Sequence, residues 1–194
     1  MDAKQLFFER YRGFQEYPDL VLDGITDQQA RQSPHPALNP IIWLLWHTAR
    51  CEDVAVNRLI NDREQVLNTE SWAPRLGVAE LHFGTGMTIE QVAELCARLD
   101  LTELQTYRTA VARQTEQAIE GLESVELKRE LIRDALQRVL VDEGAGGKAA
   151  NSIIEAYSGH TKGWLLGHLA LTHNYYHIGQ AFSIRAMYGI SNPW

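Results

Sequence analysis

The clearest pattern along the chain is the recurrence of apolar residues three and four positions apart over long windows. Alternating stretches bounded by tight turns, which would indicate β-strands, are missing. The pattern therefore predicts an all-α protein. Four main helices are expected at residues 3–23, 40–60, 102–121 and 161–188, with a kink at Pro18 in the first.

A long connection, residues 61–87, separates the second main helix from the later helices. It is rich in residues that break helices, but it also carries Trp72 and Phe83, and aromatic content of this kind is typical of a packed functional loop. Its length allows the next main helix to start at the far end of the molecule. We therefore expect a crossover connection and not a simple up-down order.

One or two extra short helices are expected outside the four main ones. Thr88 and Gln91 have the three-residue spacing of a capping box and predict the start of a short extra helix. Thr102 and Gln105 have the same spacing and predict the start of the main helix 102–121. Residues 126–141 are periodic again and end at a glycine-rich stretch, which is a clear stop signal. These signals complete the helical prediction.

Composition limits the class of protein. The chain has 194 residues, 45% of them hydrophobic and 22% charged, as expected for one domain spanning residues 1–194. Cys51 and Cys96 are too few for a disulfide framework and indicate a reducing compartment. With neither a signal-peptide core nor a long apolar run, we expect a soluble, cytoplasmic protein without a membrane partner. The formal charge of −7 disfavours nucleic-acid binding.

Polar side chains interrupt the apolar seams of two predicted helices. His47 lies in the seam of helix 40–60, and His173 and His177 lie in the seam of helix 161–188. By the same periodicity Glu52 and Asp53 fall beside the seam, so they are expected to be solvated.

The three histidines are candidate metal ligands. His173 and His177 are four residues apart, so both imidazoles can point at one ion, with His47 as the third ligand. A buried neutral histidine is costly unless both of its nitrogens are satisfied, and a shared divalent ion, zinc or nickel, explains all three. Three ligands leave a position for water or a thiolate, as in a catalytic site. The alternative is that they are satisfied core histidines.

Other histidine and zinc chemistry fits less well. Zinc proteases place a glutamate directly after the first histidine, where this chain has Asn174, and deaminases and zinc fingers need cysteine pairs. His168 lies five residues before His173, which would place it on a different face of an α-helix. Three further histidines are not chosen as ligands, namely His35, His82 and His160.

Several neighbours are candidates for supporting the ligands or lining a pocket. Gln180, one turn beyond His177, is expected to orient a ligand or to support helix packing. Cys51, one turn after His47, is either a fourth ligand or a small buried hydrophobe. The aromatic candidates for the pocket are Trp43, Tyr176 and Trp72, the last together with Phe83.

The run GWLLGHLALTHNYYHIGQAFSIRAMYG resembles the C-terminal signature of the DinB-like metalloenzyme superfamily. The segment NPIIWLLWHTARCED is similar to the part of that family that carries the first metal ligand, which makes this ligand His47. WAPRLG and FGTGMTIEQV also resemble one branch of the family. The positions that match the C-terminal signature are His173, His177, Gly179, Gln180, Arg185 and Gly189.

The resemblance implies a four-helix bundle with a three-histidine divalent metal site at one end, in a homodimer. It also implies a metal-dependent enzyme, because characterised relatives are thiol S-transferases and isomerases that use mycothiol, bacillithiol or glutathione. The stretch 126–141 and the following GAGGKAANS depart from the simplest family pattern. The alternatives are a non-catalytic metal-bearing binding or structural module, a metal-assisted hydrolase or isomerase, and a unit that serves mainly for dimerisation.

Overall fold

The structure, a computed structural model, describes residues 3–193 and confirms the all-α prediction. Within these residues no β-strand forms, and no helix is long and apolar enough to cross a membrane. The α-helices, in chain order, are α1 (Ala3–Phe14), α2 (Tyr17–Leu22), α3 (Asp27–Arg31), α4 (Ile41–Asp53), α5 (Trp72–Leu76), α6 (Ile89–Arg98), α7 (Leu101–Gly121), α8 (Ser124–Leu127), α9 (Arg133–Gln137), α10 (Ala150–Tyr157), α11 (Lys162–Gly167) and α12 (His173–Met187).

The four main helices are present, and two of them are not uniformly α-helical. Helix α4 continues as a π-helical segment, Val54–Ile60, and α11 runs through a second one, His168–Thr172, into α12. The first main helix is broken before Pro18 into α1 and α2. A π-helix bonds residues five apart, so it changes which side chains share a face.

The capping signals are half right. Thr88 and Gln91 form the predicted capping box at the start of α6. The cap predicted at Thr102 is wrong, because the Asp100 side chain accepts a hydrogen bond from the Glu103 backbone N–H at 2.9 Å and so caps α7 two residues earlier. An aspartate is an equally good cap, and here it comes first.

Residues 126–141 do not form one helix. They divide between α8 and α9, and a π-helical segment, Arg138–Asp142, continues α9. The chain between α8 and α9 bonds to the entrance of α11 through backbone hydrogen bonds, including Leu131 N–H to the His160 carbonyl at 2.9 Å. The pattern also did not predict α3, α5 and α10.

Helix α4 lies at the centre of the molecule and has no solvent face. It packs against α3, α6, α7 and α12, and each of its residues from Ile41 to Asp53 is buried. The expectation that Glu52 and Asp53 are solvated is therefore wrong, since they are 5% and 0% exposed. Such carboxylates require partners from neighbouring helices.

Candidate metal centre

The three candidate ligands converge. His173 Nε2 lies 3.3 Å from His47 Nε2 and 3.2 Å from His177 Nε2, and one ligand atom from each residue lies within 4.8 Å of the others. Nitrogens bound at about 2.0–2.1 Å to one tetrahedral ion are about 3.3 Å apart. The spacing therefore fits a shared divalent cation, and this group could hold one.

His47 is fixed by α4 and by the connection that follows it. Its Nδ1 donates a short hydrogen bond to the Phe83 carbonyl, and Trp43, one turn earlier, stacks on its ring with a centroid distance of 4.6 Å. A neutral imidazole carries one hydrogen. Since that hydrogen is on Nδ1, the lone pair of His47 is on Nε2 and points at the other two histidines.

The Phe83 carbonyl is itself held in place. The Phe83 backbone N–H bonds to the Ala145 carbonyl at 3.2 Å, so the glycine-rich stretch that departs from the family pattern supports the His47 partner. Next to it Gly84 has φ +92°, and a Cβ there would lie 2.6 Å from the Trp46 ring. Only glycine allows this approach.

His177 is oriented by a neighbour on its own helix. Its Nδ1 lies 2.7 Å from Gln180 Oε1, and Gln180 Nε2 donates to the Tyr176 hydroxyl at 3.2 Å. These contacts place the His177 hydrogen on Nδ1 and leave Nε2 as the metal-facing atom. Tyr176 is largely exposed, so it supports Gln180 from the rim of the site.

The π-helical segment before His173 brings an unexpected residue close. The expectation that His168 lies on a different face is wrong, because residues five apart align in a π-helix and the His168 and His173 ring centroids are 5.8 Å apart. His168 stacks on Trp164 at 4.8 Å, and Trp164 stacks on His160 at 3.8 Å. A column of rings thus runs from the surface to the site.

The environment keeps the ligands neutral. Burial lowers the pKa of His47 to about 4, and it also lowers the pKa of His173 and His177. For His173 the proximity of the other two imidazoles adds to this lowering. Neutral imidazoles are the form that binds metal.

Two predicted neighbours have other positions. Cys51 Sγ lies 3.8 Å from both ring nitrogens of His47 and is not in the convergent group, and burial raises the pKa of its thiol, so it fits the small buried hydrophobe. Trp72 packs on Tyr107 and Arg75, and no ring contact joins it to the histidines in the part of the chain that the structure describes. Phe83 lies beside the site, since its carbonyl bonds to His47, and the pocket role of Trp72 stays a prediction.

Sequence reasoning missed a buried carboxylate near the site. Glu52 accepts hydrogen bonds from Tyr11 OH, from Thr115 Oγ1 at 2.8 Å and from Asn174 Nδ2 at 2.8 Å. Burial raises the pKa of Glu52 to about 7, despite these three donors. Asn174 directly follows His173, which is the one local signal that links this cluster to the ligands.

Comparison with known proteins gives a family and a fold. A family model described as the DinB superfamily matches residues 12–181, a range that includes all three histidines. A conserved protein from Enterococcus faecalis, known from a crystal structure, is 19% identical with a TM-score of 0.70, and the alignment covers 97% of this chain and 99% of that one. This likeness shows a shared fold. No curated protein matches the chain significantly.

Proposed function

The chain belongs to the DinB superfamily, and from this premise we propose that it is a metal-dependent enzyme that joins a low-molecular-weight thiol to an electrophilic small molecule. His47, His173 and His177 are the proposed ligands of a divalent ion, zinc or nickel, both of which imidazole binds well. The observation that carries the proposal is the convergence of three histidines across α4 and α12: His173 Nε2 lies 3.3 Å from His47 Nε2 and 3.2 Å from His177 Nε2.

The ligand set suits a catalytic and not a structural site. Three protein ligands leave at least one position open, whereas structural zinc sites use four. A divalent ion held by neutral ligands keeps its double charge and lowers the pKa of a water or thiol bound beside them. Phe83 and Gln180 fix the rings of His47 and His177, so these nitrogens are in place before any ligand arrives.

The proposed reaction forms one bond and breaks two. The thiol loses its proton to solvent, its sulfur forms a bond to carbon of the electrophile, and the leaving group departs with the electron pair of its bond. Mycothiol, bacillithiol and glutathione are the proposed thiols, on the strength of the family resemblance. They are held reduced in the cytoplasm, the location predicted for this chain, whose two buried cysteines are free. The homodimer that the resemblance implies stays a prediction.

Metal binding is tested by metal analysis of freshly purified protein and by calorimetric titration of the metal-free protein with zinc. We expect one ion per chain in the wild type and none in the His173→Ala, His177→Ala double variant. His35→Ala is the matched control, because this exposed histidine lies outside the cluster. Equal metal content in all three proteins would place the ion elsewhere and reject the site.

Turnover is tested with a panel of mycothiol, bacillithiol, glutathione and cysteine against a chromogenic electrophile. We expect a rate with at least one thiol in the zinc- or nickel-loaded wild type, and background rates in the metal-free protein and in His47→Ala. Circular dichroism checks that the variant is folded. Stoichiometric metal with no rate for any thiol would reject the thiol reaction and favour the non-catalytic binding module.

A further inference from the structure

We propose that Asn174 is a positioning residue for His173, and that Glu52 holds the Asn174 amide in the orientation needed to accept a hydrogen bond from His173 Nδ1–H. This hydrogen bond forms when His173 Nε2 binds a metal ion, so the inference rests on the proposed function. It gives the buried Glu52 cluster a role at the metal centre.

The first observation is a pair of unsatisfied atoms. His173 Nδ1 and Asn174 Oδ1 are both buried and have no hydrogen-bond partner. The other two ligands each have an acceptor for Nδ1–H, namely the Phe83 carbonyl for His47 and Gln180 Oε1 for His177. His173 alone among the three lacks one, and buried polar atoms rarely stay unpaired.

The second observation concerns the hydrogen on His173. Its Nε2 lies within 3.3 Å of two nitrogens, His47 Nε2 and His177 Nε2, that both carry lone pairs because their rings are protonated at Nδ1. Without a cation, His173 therefore keeps its hydrogen on Nε2, where it can donate. The Asn174 side chain is close enough to His173 to influence the pKa of its ring. With Nδ1 a bare acceptor and Asn174 Oδ1 also an acceptor, the two atoms do not bond.

Metal binding reverses this arrangement. An Nε2 that gives its lone pair to a cation cannot carry a hydrogen, so a neutral His173 must carry its hydrogen on Nδ1. The hydrogen leaves one ring nitrogen and is replaced on the other, the ring stays neutral, and no net proton is released by His173. The new donor then satisfies Asn174 Oδ1, and both unpaired atoms are paired at once.

Glu52 determines which end of the Asn174 amide is available. Asn174 Nδ2 donates to Glu52 Oε2 at 2.8 Å and approaches the Ala170 carbonyl at 3.5 Å. Rotating the amide by half a turn would set its oxygen against two acceptors and break both contacts. Tyr11 and Thr115 bond to the other oxygen of Glu52 and hold the carboxylate. The amide oxygen is thus directed away from Glu52.

The test compares two substitutions of similar size in ¹⁵N-histidine-labelled protein titrated with zinc. Asn174→Leu removes the acceptor, and we expect zinc affinity to fall about 10- to 100-fold. Asn174→Asp loses the amide donor and sets an oxygen against Glu52, but it keeps an oxygen acceptor for His173 Nδ1–H, so we expect zinc affinity to stay closer to that of the wild type than to that of Asn174→Leu. A residue that serves only to satisfy Glu52 would be damaged equally by both changes, and that result would overturn the proposal.

Nuclear magnetic resonance gives the second readout. In zinc-loaded wild type we expect a slowly exchanging Nδ1–H signal from His173 that is absent from the metal-free protein and from zinc-loaded Asn174→Leu. The Nδ1–H signals of His47 and His177 should be the same in the zinc-loaded wild type and in zinc-loaded Asn174→Leu. Thr115→Val is the matched control: it removes one donor to Glu52 but leaves Asn174, and we expect zinc affinity within about twofold of wild type. A zinc affinity of Asn174→Leu equal to that of the wild type would also overturn the proposal.

The wild-type spectrum alone decides the matter if the variants do not fold. A zinc-loaded wild type in which His173 Nδ1 carries no protected hydrogen contradicts the role of Asn174. If the wild type binds no zinc or nickel through the three histidines, the proposed function fails and this inference fails with it. If the wild type binds zinc through the three histidines and the Asn174 variants bind it with the same affinity, the inference is rejected and the proposed metal site stands.

Discussion

Two buried polar clusters one turn apart on α4 satisfy their atoms in different ways. At His47 three imidazole nitrogens face one another, with more lone pairs than hydrogens among them. At Arg50 and Asp53 an ion pair of 3.0 Å, with both side chains fully buried, is surrounded by matching partners. Arg50 also donates to Tyr107 OH, Gln65 Oε1 and the Leu81 carbonyl, and Asp53 accepts from Asn57 and from two backbone N–H groups.

The difference separates a structural cluster from a ligand site. The Asp53 partners include the backbone N–H groups of Val66 and Leu67, so the ion pair fastens the connection after α4 onto the helix. Its charges balance, and every polar side-chain atom of Arg50 and Asp53 except Arg50 Nε has a partner. The histidine cluster lacks this balance, because nitrogens with lone pairs face one another around His173 Nε2, and a cation would complete it. Single substitutions test this division, taken in order of the expected change in the unfolding free energy of the metal-free protein.

Asp53→Ala should have the largest effect. It leaves the Arg50 charge buried without its partner and frees the connection after α4, so we expect a loss of about 3–5 kcal/mol in unfolding free energy with zinc affinity little changed. Chemical denaturation and zinc titration measure the two. Asp62→Ala is the control, since this exposed carboxylate pairs with Arg58 and Arg138 at the surface and its loss should lower stability far less. Similar losses in both variants would contradict the structural role.

Glu52→Gln should change the pH dependence of stability. Burial raises the folded-state pKa of Glu52 to about 7 from the ordinary 4.5, so folding favours the protonated form. This contribution is complete below pH 4.5 and is lost as pH rises through 7, a loss of roughly 3 kcal/mol. We expect the wild type to lose stability between about pH 5 and pH 8 relative to Glu52→Gln, as measured by urea denaturation. Parallel profiles would show that this carboxyl has an ordinary pKa.

Gly146→Ala should cost about 1–3 kcal/mol by overpacking. A Cβ at this position would lie 2.7 Å from Ala150 Cα and 2.9 Å from the Leu140 carbonyl oxygen. Because the adjacent Ala145 carbonyl holds Phe83, we also expect weaker zinc binding. Gly121→Ala is the matched control, since its Cβ would meet nothing within 4 Å. A loss of stability without a loss of zinc affinity would disconnect this stretch from His47.

His177→Ala should have the smallest effect on the metal-free protein, less than about 1 kcal/mol, because this half-buried ring makes few contacts outside the site. The same change should abolish stoichiometric zinc binding. Asp53→Ala is thus expected to lower stability strongly and to leave zinc affinity almost unchanged. His177→Ala is expected to abolish zinc binding and to leave stability almost unchanged. A His177→Ala protein as unstable as Asp53→Ala would mean that the histidines form a core cluster that is already satisfied.

The sequence contains the local part of this structure. Periodicity predicts the main helices, and the spacing of His173 and His177 predicts a shared target, because both depend on residues within one or two turns. The burial of Glu52 and Asp53 could not be predicted in this way. It depends on helices that cover α4 from every side, and the partners Tyr11, Thr115 and Tyr107 lie far away in sequence.

The prediction that His168 lies on a different face from His173 is wrong for another reason. The prediction assumed 3.6 residues per turn throughout, whereas residues 168–172 form a π-helical segment. The pocket role of Trp72 is predicted only from its place in the long connection, and that place does not specify which side of α4 the ring packs against. Phe83 is in the same connection and reaches His47 through its backbone, which no side-chain pattern records.

The π-helical segment before His173 also sets a rule of length. Each α-helical residue advances the chain by about 100° around the axis. Deleting one residue from 168–172 would let the segment tighten into an α-helix and turn α11 by about this angle relative to the two ligands. Trp164 and His168 would then leave the side of the helix that faces His173. The number of residues between α11 and His173 is therefore more constrained than their identity. In this segment a substitution should be tolerated where a deletion is not.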